Sequence, residues 1–475
     1  MDDKDIRRQQ LERENALLKQ TVATLTAKLT AMEAKIAVLE AKIARLTRDS
    51  STRSKPPSSD IVKPPPFGMC GKQHKRSPGG QPGHTRYERT AFPPERIDRV
   101  KTYELTRKEA RGLRPLREWS VVQQADLVDS PLLVTKHRAR KYLDHRTGRV
   151  VYAPMPIEVR AGGLIGPKLA AAVALLKTKC HVSFACIQEF LEEVFELPVS
   201  SGTLATVVQK ISAALEEPYT ELREAVPAQP RLGVDETGHP EAGKNLWAWC
   251  FRADDFTLFH IAPSRGSNVL RDILTDAFGG VLGCDFFSAY RKFMRNAPVT
   301  VQFCIAHLIR ELRFLVEHPD RVLARWERRL LACMRALLKA IHGRERLGDA
   351  AYLRHAQRVR KNFLSIVRHP PPRTEAHTLG QRFRGKGADS YFTFLTVPGI
   401  EPTNNLTEQA IRPLVIDQRI TQGTRSKTGR RWCERIWTVI ATCRQQGRSV
   451  FKYLVAAADA HMHRQASPSL LPVKP

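Results

Sequence analysis

From Leu11 onward the apolar positions recur in alternating steps of four and three: Leu11, Asn15, Leu18, Val22, Leu25, Leu29, Met32, Ile36, Leu39, Ile43 and Leu46. A period of 3.5 sustained over five repeats predicts a coiled coil, in preference to an amphipathic helix packed on its own chain. The d positions are Leu11, Leu18, Leu25, Met32, Leu39 and Leu46, and the a positions are Asn15, Val22, Leu29, Ile36 and Ile43. Mostly β-branched residues at a with Leu at d favour a parallel dimer, and a polar a residue such as Asn15 fixes register and strand number. At 1.5 Å per residue the seam from Leu11 to Leu46 spans about 54 Å.

The pattern then stops. Ser50 to Arg86 holds seven Pro, seven Lys or Arg and one acid, Asp60, which predicts an extended basic linker. Such a linker fits either phosphate tracking or plain solvation. Cys70, His74 and His84 lie on it and make a poor metal set. Tyr87 to Val159 reads as short strands and turns, with β-branched content at Val121–Val134 and Arg149–Ala153. Helical periodicity returns over Leu164–Thr178, Phe184–Phe195 and Gly202–Leu215, the last capped by Ser200 or Ser201. Two readings fit these helices: a helix-turn-helix and a plain three-helix bundle. The candidate reading helix carries Lys210 as its one cation.

From Arg231 the period switches to two. Strands are predicted at Arg231–Thr237, Leu246–Arg252, Phe256–Ala262, Gly280–Phe286 and Val299–Ile305, with helices at Gly266–Phe278 and Ser288–Met294. Three hairpin-linked strands followed by alternating strand and helix match the order of a ribonuclease-H-like α/β fold. His307 to about Gly387 reads as a helical insertion, followed by helices at Asn404–Ile416, Arg430–Gln446 and Ser449–His461.

The chain of 475 residues suggests about three domains. The organisation predicted is multi-domain: coiled coil 1–49, linker 50–86, small β-rich module 87–162, helix-turn-helix-like domain 163–226, α/β catalytic core 227–425 with a helical insertion at about 307–390, and C-terminal helices 426–475. Charge adds a partner. Lys and Arg number 77 against 48 acids, a formal net charge of +29. That imbalance points to a polyanion, most often nucleic acid. Between Arg321 and Arg384 there are 16 Lys or Arg and four acids, which directs the insertion toward DNA. No run of 18 uncharged apolar residues predicts a membrane span, and the N-terminal Met-Asp-Asp-Lys-Asp has no apolar signal region. Nine scattered Cys without a Cys-x-x-Cys pair argue against a disulfide framework and a regular zinc ribbon.

Three acids stand out by position. Asp235 closes the apolar Gly233-Val234-Asp235, Asp285 ends Val281–Asp285, and Glu408 lies in the opening turns of a helix. A buried acid at a strand end is costly unless it meets a cation. Three brought together suit a pair of divalent ions and in-line phosphoryl displacement. Glu236 points to the opposite face of its strand and is expected outside the site. Taken singly, each acid also reads as an ordinary cap or surface residue, Glu408 with Arg412 at i+4 as an ion pair. If Glu408 fails, Asp417 is the next acid in line.

The blocks Asp235-Glu236-Thr237-Gly238 with Leu246-Trp247-Ala248-Trp249, Cys284–Tyr290, Cys304-Ile305-Ala306-His307, and Thr403–Glu408 resemble, in this order, those of transposases of the insertion sequence 66 family. So do Gly423–Gly429 with Ser426, Ser50-Ser51, Pro56–Asp60, and Gly80–His84. The resemblance covers nearly the whole chain. It implies a DDE transposase on a ribonuclease-H-like core, with Asp235, Asp285 and Glu408 as catalytic and metal-holding residues and two Mg²⁺ or Mn²⁺ ions. It implies hydrolysis at the element's ends and attack of the freed 3′-hydroxyl on target DNA. His307, Asn404, Asn405 and Arg412 would support the site or hold phosphates, with Arg425 and Lys427 on DNA; His307 and the two Asn also read as helix caps. The partners implied are terminal inverted repeats, target DNA, a second copy through the coiled coil and companion proteins of the same element, in a bacterial cytoplasm at the nucleoid and without a membrane. The family's zinc-binding cysteine module is not matched, because Tyr87–Gly162 contains no Cys, so zinc is not expected. Two alternatives stand beside this reading: a non-catalytic DNA-binding regulator and a ribonuclease-H-like nuclease without strand transfer.

Overall fold

The structure is a computed structural model and describes residues 15, 16, 18–33, 91–109, 111, 114, 120–128, 131–316, 320–384 and 387–472. Residues 18–33 are helical, and their heptad residues Leu18, Val22, Leu25, Leu29 and Met32 are exposed by 59% to 64%. The heptad positions Leu11, Ile36, Leu39, Ile43 and Leu46, and the linker with Cys70, His74 and His84, lie outside the described residues.

The expectation for Val121–Val134 needs correction. Its described residues form no strand; the hairpin of this region pairs β1 (Lys141–Leu143) with β2 (Val150–Tyr152). β-branched composition alone does not make a strand, which needs a ladder partner and a packed face. Val122 and Leu133 have neither and stand 89% and 94% exposed.

Five helices follow: α1 (Ile157–Gly162), α2 (Pro167–Thr178), α3 (Phe184–Phe195), α4 (Ser201–Ala214) and α5 (Glu216–Ala225). Ser183 and Ser200 cap α3 and α4, each accepting from the backbone N–H three residues on. Glu196 closes α3 in the left-handed region. The outward face of α4 is Ser201, Gly202, Thr206, Gln209 and Ala213, without charge. Lys210 is occupied, donating to the carbonyls of Ala161 and Gly162 at the end of α1. Ile157–Thr178 is long and apolar enough to cross a membrane by composition. Gly163, at φ 69°, interrupts it, and α2 buries Ala170, Ala171, Val173 and Ala174 inside the chain.

The sheet is where sequence pattern and fold meet most closely. It comprises β3 (Arg231–Glu241), β4 (Lys244–Arg252), β5 (Thr257–Ala262), β6 (Val281–Cys284) and β7 (Thr300–Phe303), in the order β5-β4-β3-β6-β7. β3, β4 and β5 are antiparallel neighbours; β6 and β7 run parallel to β3. The crossovers are α6 (Ser267–Leu274) and α7 (Ser288–Asn296). The strands at the centre are buried on both faces, with Val234, Phe251 and Leu282 on one and Ala248, Cys250 and Val281 on the other. After β7 come α8 (Ile305–Val316), α9 (Arg321–His342), α10 (Asp349–Val367) and α11 (Thr374–Arg382), the expected helical insertion. Trp326 on α9 donates its indole N–H to the Ile366 carbonyl on α10, tying the pair together.

Three helices complete the chain: α12 (Asn405–Thr421), α13 (Lys427–Gln445) and α14 (Val450–Met462). α12 crosses β3 and β4, and α14 packs on α2 and α4. α13 closes the open edge of the sheet. The N–H groups of Thr257, Phe259 and Ile261 on β5 donate to Thr442 Oγ1, Thr438 Oγ1 and Glu434 Oε1 at 3.1, 3.0 and 2.7 Å. Four helical residues rise about 6 Å and two strand residues about 6.6 Å, so the two spacings run in step. An edge that invites another strand is thereby satisfied internally.

Candidate active site

β3 and β6 end their parallel pairing at Gly233 opposite Gly283. Two residues further along each chain stand Asp235 and Asp285, on the same face as the two glycines. Asp235 does not close its strand as expected: β3 runs on to Glu241, and what ends at Gly233 is its pairing with β6. Asp285 lies one residue past β6.

The glycines admit the third element. A Cβ on Gly233 would fall 2.0 Å from Thr407 Oγ1 and 3.0 Å from Asn404 Oδ1, and one on Gly283 3.9 Å from the same Asn404 oxygen. The start of α12 therefore rests directly on bare backbone. Asn404 fastens it there. Its Nδ2 donates to Val234 O at 2.8 Å, and its backbone N–H donates to Cys304 Sγ at 3.2 Å. Cys304 N–H in turn donates to Cys284 O at 2.8 Å, and Ile305 N–H to Pro402 O at 2.9 Å. Asn404 is thus a buried clasp as well as a cap, its carbonyl accepting from Thr407 and Glu408 N–H. One turn on stands Glu408, close enough for its charge to act on both aspartates.

Both aspartates respond to the neighbouring carboxylates. Asp235 is held well above its ordinary pKa, first by burial, then by repulsion from Glu236, Asp285 and Glu408. Burial also raises Asp285 and Glu408 repels it, against the Phe287 N–H and Arg265, which pull it down. Glu408 has Arg310 Nη2 at 3.3 Å and His307 Nδ1 at 3.6 Å, rather than Arg412 at i+4. Burial pushes His307 down to about 4, so it is neutral at pH 7.

Glu236 does point away, as strand alternation requires, but its side chain is 2% exposed and its charge is felt by Asp235. Arg265 donates to its Oε1 from Nε and Nη2 at 2.9 and 2.8 Å, and the Tyr290 hydroxyl donates to Oε2. Burial and Asp285 raise Glu236 to about 7. The Arg265 guanidinium is sandwiched between the rings of Trp247 and Phe287, at 4.5 and 3.8 Å. Arg265 and Arg310 escaped the sequence reading, and Tyr290 entered it only as the end of the Cys284–Tyr290 block, without a role. The signal within reach was glycine inside a strand, which marks close backbone approach.

The other expected residues separate by place. Asn405 and Arg412 are exposed on α12. Arg425 and Lys427 are exposed on the segment tied to the far end of β3, where Thr424 N–H donates to Pro240 O and Thr424 O accepts from Ala242 N–H. From Asp235 to Glu241 is about 20 Å of strand, so these cations lie beyond the carboxylates. Asp417 is elsewhere: it accepts from Trp437 Nε1 at 3.2 Å and sits 2.9 Å from His181 Nδ1, a link between α12, α13 and the α2–α3 turn.

The sequence profile of the family described as Transposase IS66 family matches residues 162–431, and a family of unknown function matches residues 2–90. Two curated relatives come from Sinorhizobium fredii (strain NBRC 101917 / NGR234). The uncharacterized protein y4qI is 23% identical over 68% of this chain and 65% of its own length. The uncharacterized protein y4hP is 24% identical over 61% of this chain and 58% of its own. The chain thus spans less than two thirds of either relative.

Proposed function

The chain belongs to the IS66 family of transposases, and we propose that it is a DDE-type DNA transposase on a ribonuclease-H-like core, cutting DNA at the ends of its element and joining those ends to target DNA. The observation that supports this is where the three acids fall: Asp235 on β3, Asp285 one residue past β6 and Glu408 in the first turn of α12, near enough that Asp285 and Glu408 both repel Asp235 and Glu408 repels Asp285. Such an all-oxygen donor set, strained by its own charge, fits hard divalent cations. Asp235, Asp285 and Glu408 would hold them. When bound, two Mg²⁺ or Mn²⁺ ions supply charge neutralisation for in-line displacement at phosphorus.

The remaining work belongs to the chain's own groups. Arg310 holds the Glu408 carboxylate, and Asn404 holds the helix that carries it. His307, neutral, lines the Glu408 side and leaves the cation-binding charge undiminished. Arg412, Arg425, Lys427 and Asn405 are exposed and face solvent for phosphate contact. The basic insertion supplies further phosphate contacts, and a second copy is recruited through the apolar stripe of residues 18–33. The protein works in the bacterial cytoplasm at the nucleoid, with companion proteins of its element.

The test is a labelled duplex carrying the element's end, a supercoiled target and Mg²⁺ with the full chain. Cleaved and joined products are expected, with Asp235→Asn giving neither while still retaining the duplex. Cutting without joining would make it a nuclease; retention without cutting in the unaltered protein would make it a regulator.

A further inference from the structure

We propose that Cys304, His307 and Glu408 form a second metal seat, for a borderline-soft divalent cation of the Zn²⁺ class, which draws Glu408 away from Asp235 and Asp285 and so switches the carboxylate site off. The inhibitory half of this rests on the role given to Glu408 above; the seat itself does not. One thiol sulfur, one imidazole nitrogen and one carboxylate oxygen lie within 4.8 Å of one another. Cys304 immediately precedes α8 and His307 stands in its first turn, while Glu408 comes from the first turn of α12. The backbone contacts that fasten these two helix starts together therefore also assemble the three donors.

An independent observation marks the place as incomplete. His307 Nδ1 is buried and has no hydrogen-bond partner, with Glu408 Oε1 at 3.6 Å. A buried polar atom left without a partner carries a real cost. A ligand on that nitrogen would remove the cost. The donor chemistry selects the ion. Sulfur and imidazole favour Zn²⁺, Co²⁺ and their neighbours over Mg²⁺, and three protein donors leave one position of a tetrahedron open. The Asp235 and Asp285 side is oxygen only and favours Mg²⁺ or Mn²⁺. Glu408 is common to both sets, so occupancy of one competes with the other. Arg310 Nη2 lies 3.4 and 3.3 Å from the two Glu408 oxygens and must give way when a cation arrives. That displacement makes the seat a reversible one, unlike a closed structural site.

Co²⁺ is the probe, titrated into the full chain free of other metals. A four-coordinate visible spectrum and a near-ultraviolet thiolate-to-cobalt band are expected. Cys304→Ser keeps an acceptor for the Asn404 N–H and should remove the thiolate band; His307→Gln should weaken Co²⁺ binding by at least the ~10-fold typical of losing even an outer partner. With Mg²⁺ present, Zn²⁺ should inhibit cleavage, and Cys304→Ser should raise the inhibitory Zn²⁺ concentration about 10-fold or more. A thiolate band that persists in Cys304→Ser, or none in the unaltered protein, would overturn the seat. The full spectral signature in a protein without Mg²⁺-dependent cleavage would support the seat and sink the transposase reading.

Discussion

Adding one methyl group at Gly233 tests how the site is assembled. In Gly233→Ala the new Cβ would sit 2.0 Å from Thr407 Oγ1, where ordinary contact begins near 3.4 Å. The start of α12 must lift by about 1.4 Å, or the buried Thr407 side chain must turn, and Asn404 Oδ1 at 3.0 Å crowds the same methyl. Overpacking of this kind costs about 1–3 kcal/mol of stability. The larger consequence is for chemistry: Glu408 rides on the displaced turn, and a misplacement of about 1 Å costs roughly 100-fold in rate. Thr407→Ala removes the nearest obstructing atom, so Gly233→Ala/Thr407→Ala should recover much of both losses, a coupling that a double-mutant cycle reads directly. Thermal unfolding and single-turnover cleavage of an element-end duplex give the two numbers. A Gly233→Ala protein that cleaves at the unaltered rate would refute the close seating of α12. So would a loss that Thr407→Ala leaves untouched.

Other outcomes follow from the same structure. Glu327 is 0% exposed, neither carboxylate oxygen has a hydrogen-bond partner, and burial raises it to about 8 from 4.5. An acid raised on folding stabilises fully below its unfolded value and loses that contribution as pH climbs to the folded one. Stability should therefore fall between about pH 4.5 and 8, and Glu327→Gln should raise it by about 3 kcal/mol at pH 7 and little at pH 4, by thermal melts at each pH. Asp417→Ala should cost about 1–3 kcal/mol by leaving Trp437 Nε1 and His181 without their acceptor, yet retain cleavage per folded molecule. Leu18→Lys/Leu25→Lys in the full chain should convert a dimer to a monomer by sedimentation, with DNA cleavage at paired ends reduced.

The period-two stretches told the sheet almost strand by strand because a strand such as β3 alternates buried Leu232 and Val234 with half-buried Gly233 and Asp235, so that side-chain pattern and backbone conformation are the same constraint. Val121–Val134 misled because Val121, Val122, Leu127, Val128, Leu133 and Val134 all stand exposed, so composition had no packed face to report. The two aspartates were legible as acids ending apolar runs. Their alignment was not, since it depends on the register that pairs Gly233 with Gly283. Glu236 was rightly placed across the strand, but its burial under Arg265 and Tyr290 is a property of three separate segments. Asp417 stood second to Glu408 in the sequence; the structure gives it a structural role between His181 and Trp437. The link between α13 and β5 was invisible because Thr438 and Thr442 look like ordinary helical residues until the edge strand is beside them.

The central claim is that Asp235, Asp285 and Glu408 hold metal at one place. Replacing Mg²⁺ with Fe²⁺ and adding ascorbate and peroxide generates hydroxyl radicals at the bound ion, which cut the nearby backbone. The account predicts cuts clustered around residues 235, 285 and 408 in the same sample, all three suppressed by excess Mg²⁺ and lost together in Asp235→Asn. Cuts near one of these segments without the other two, or three that respond independently to Asp235→Asn, would contradict it.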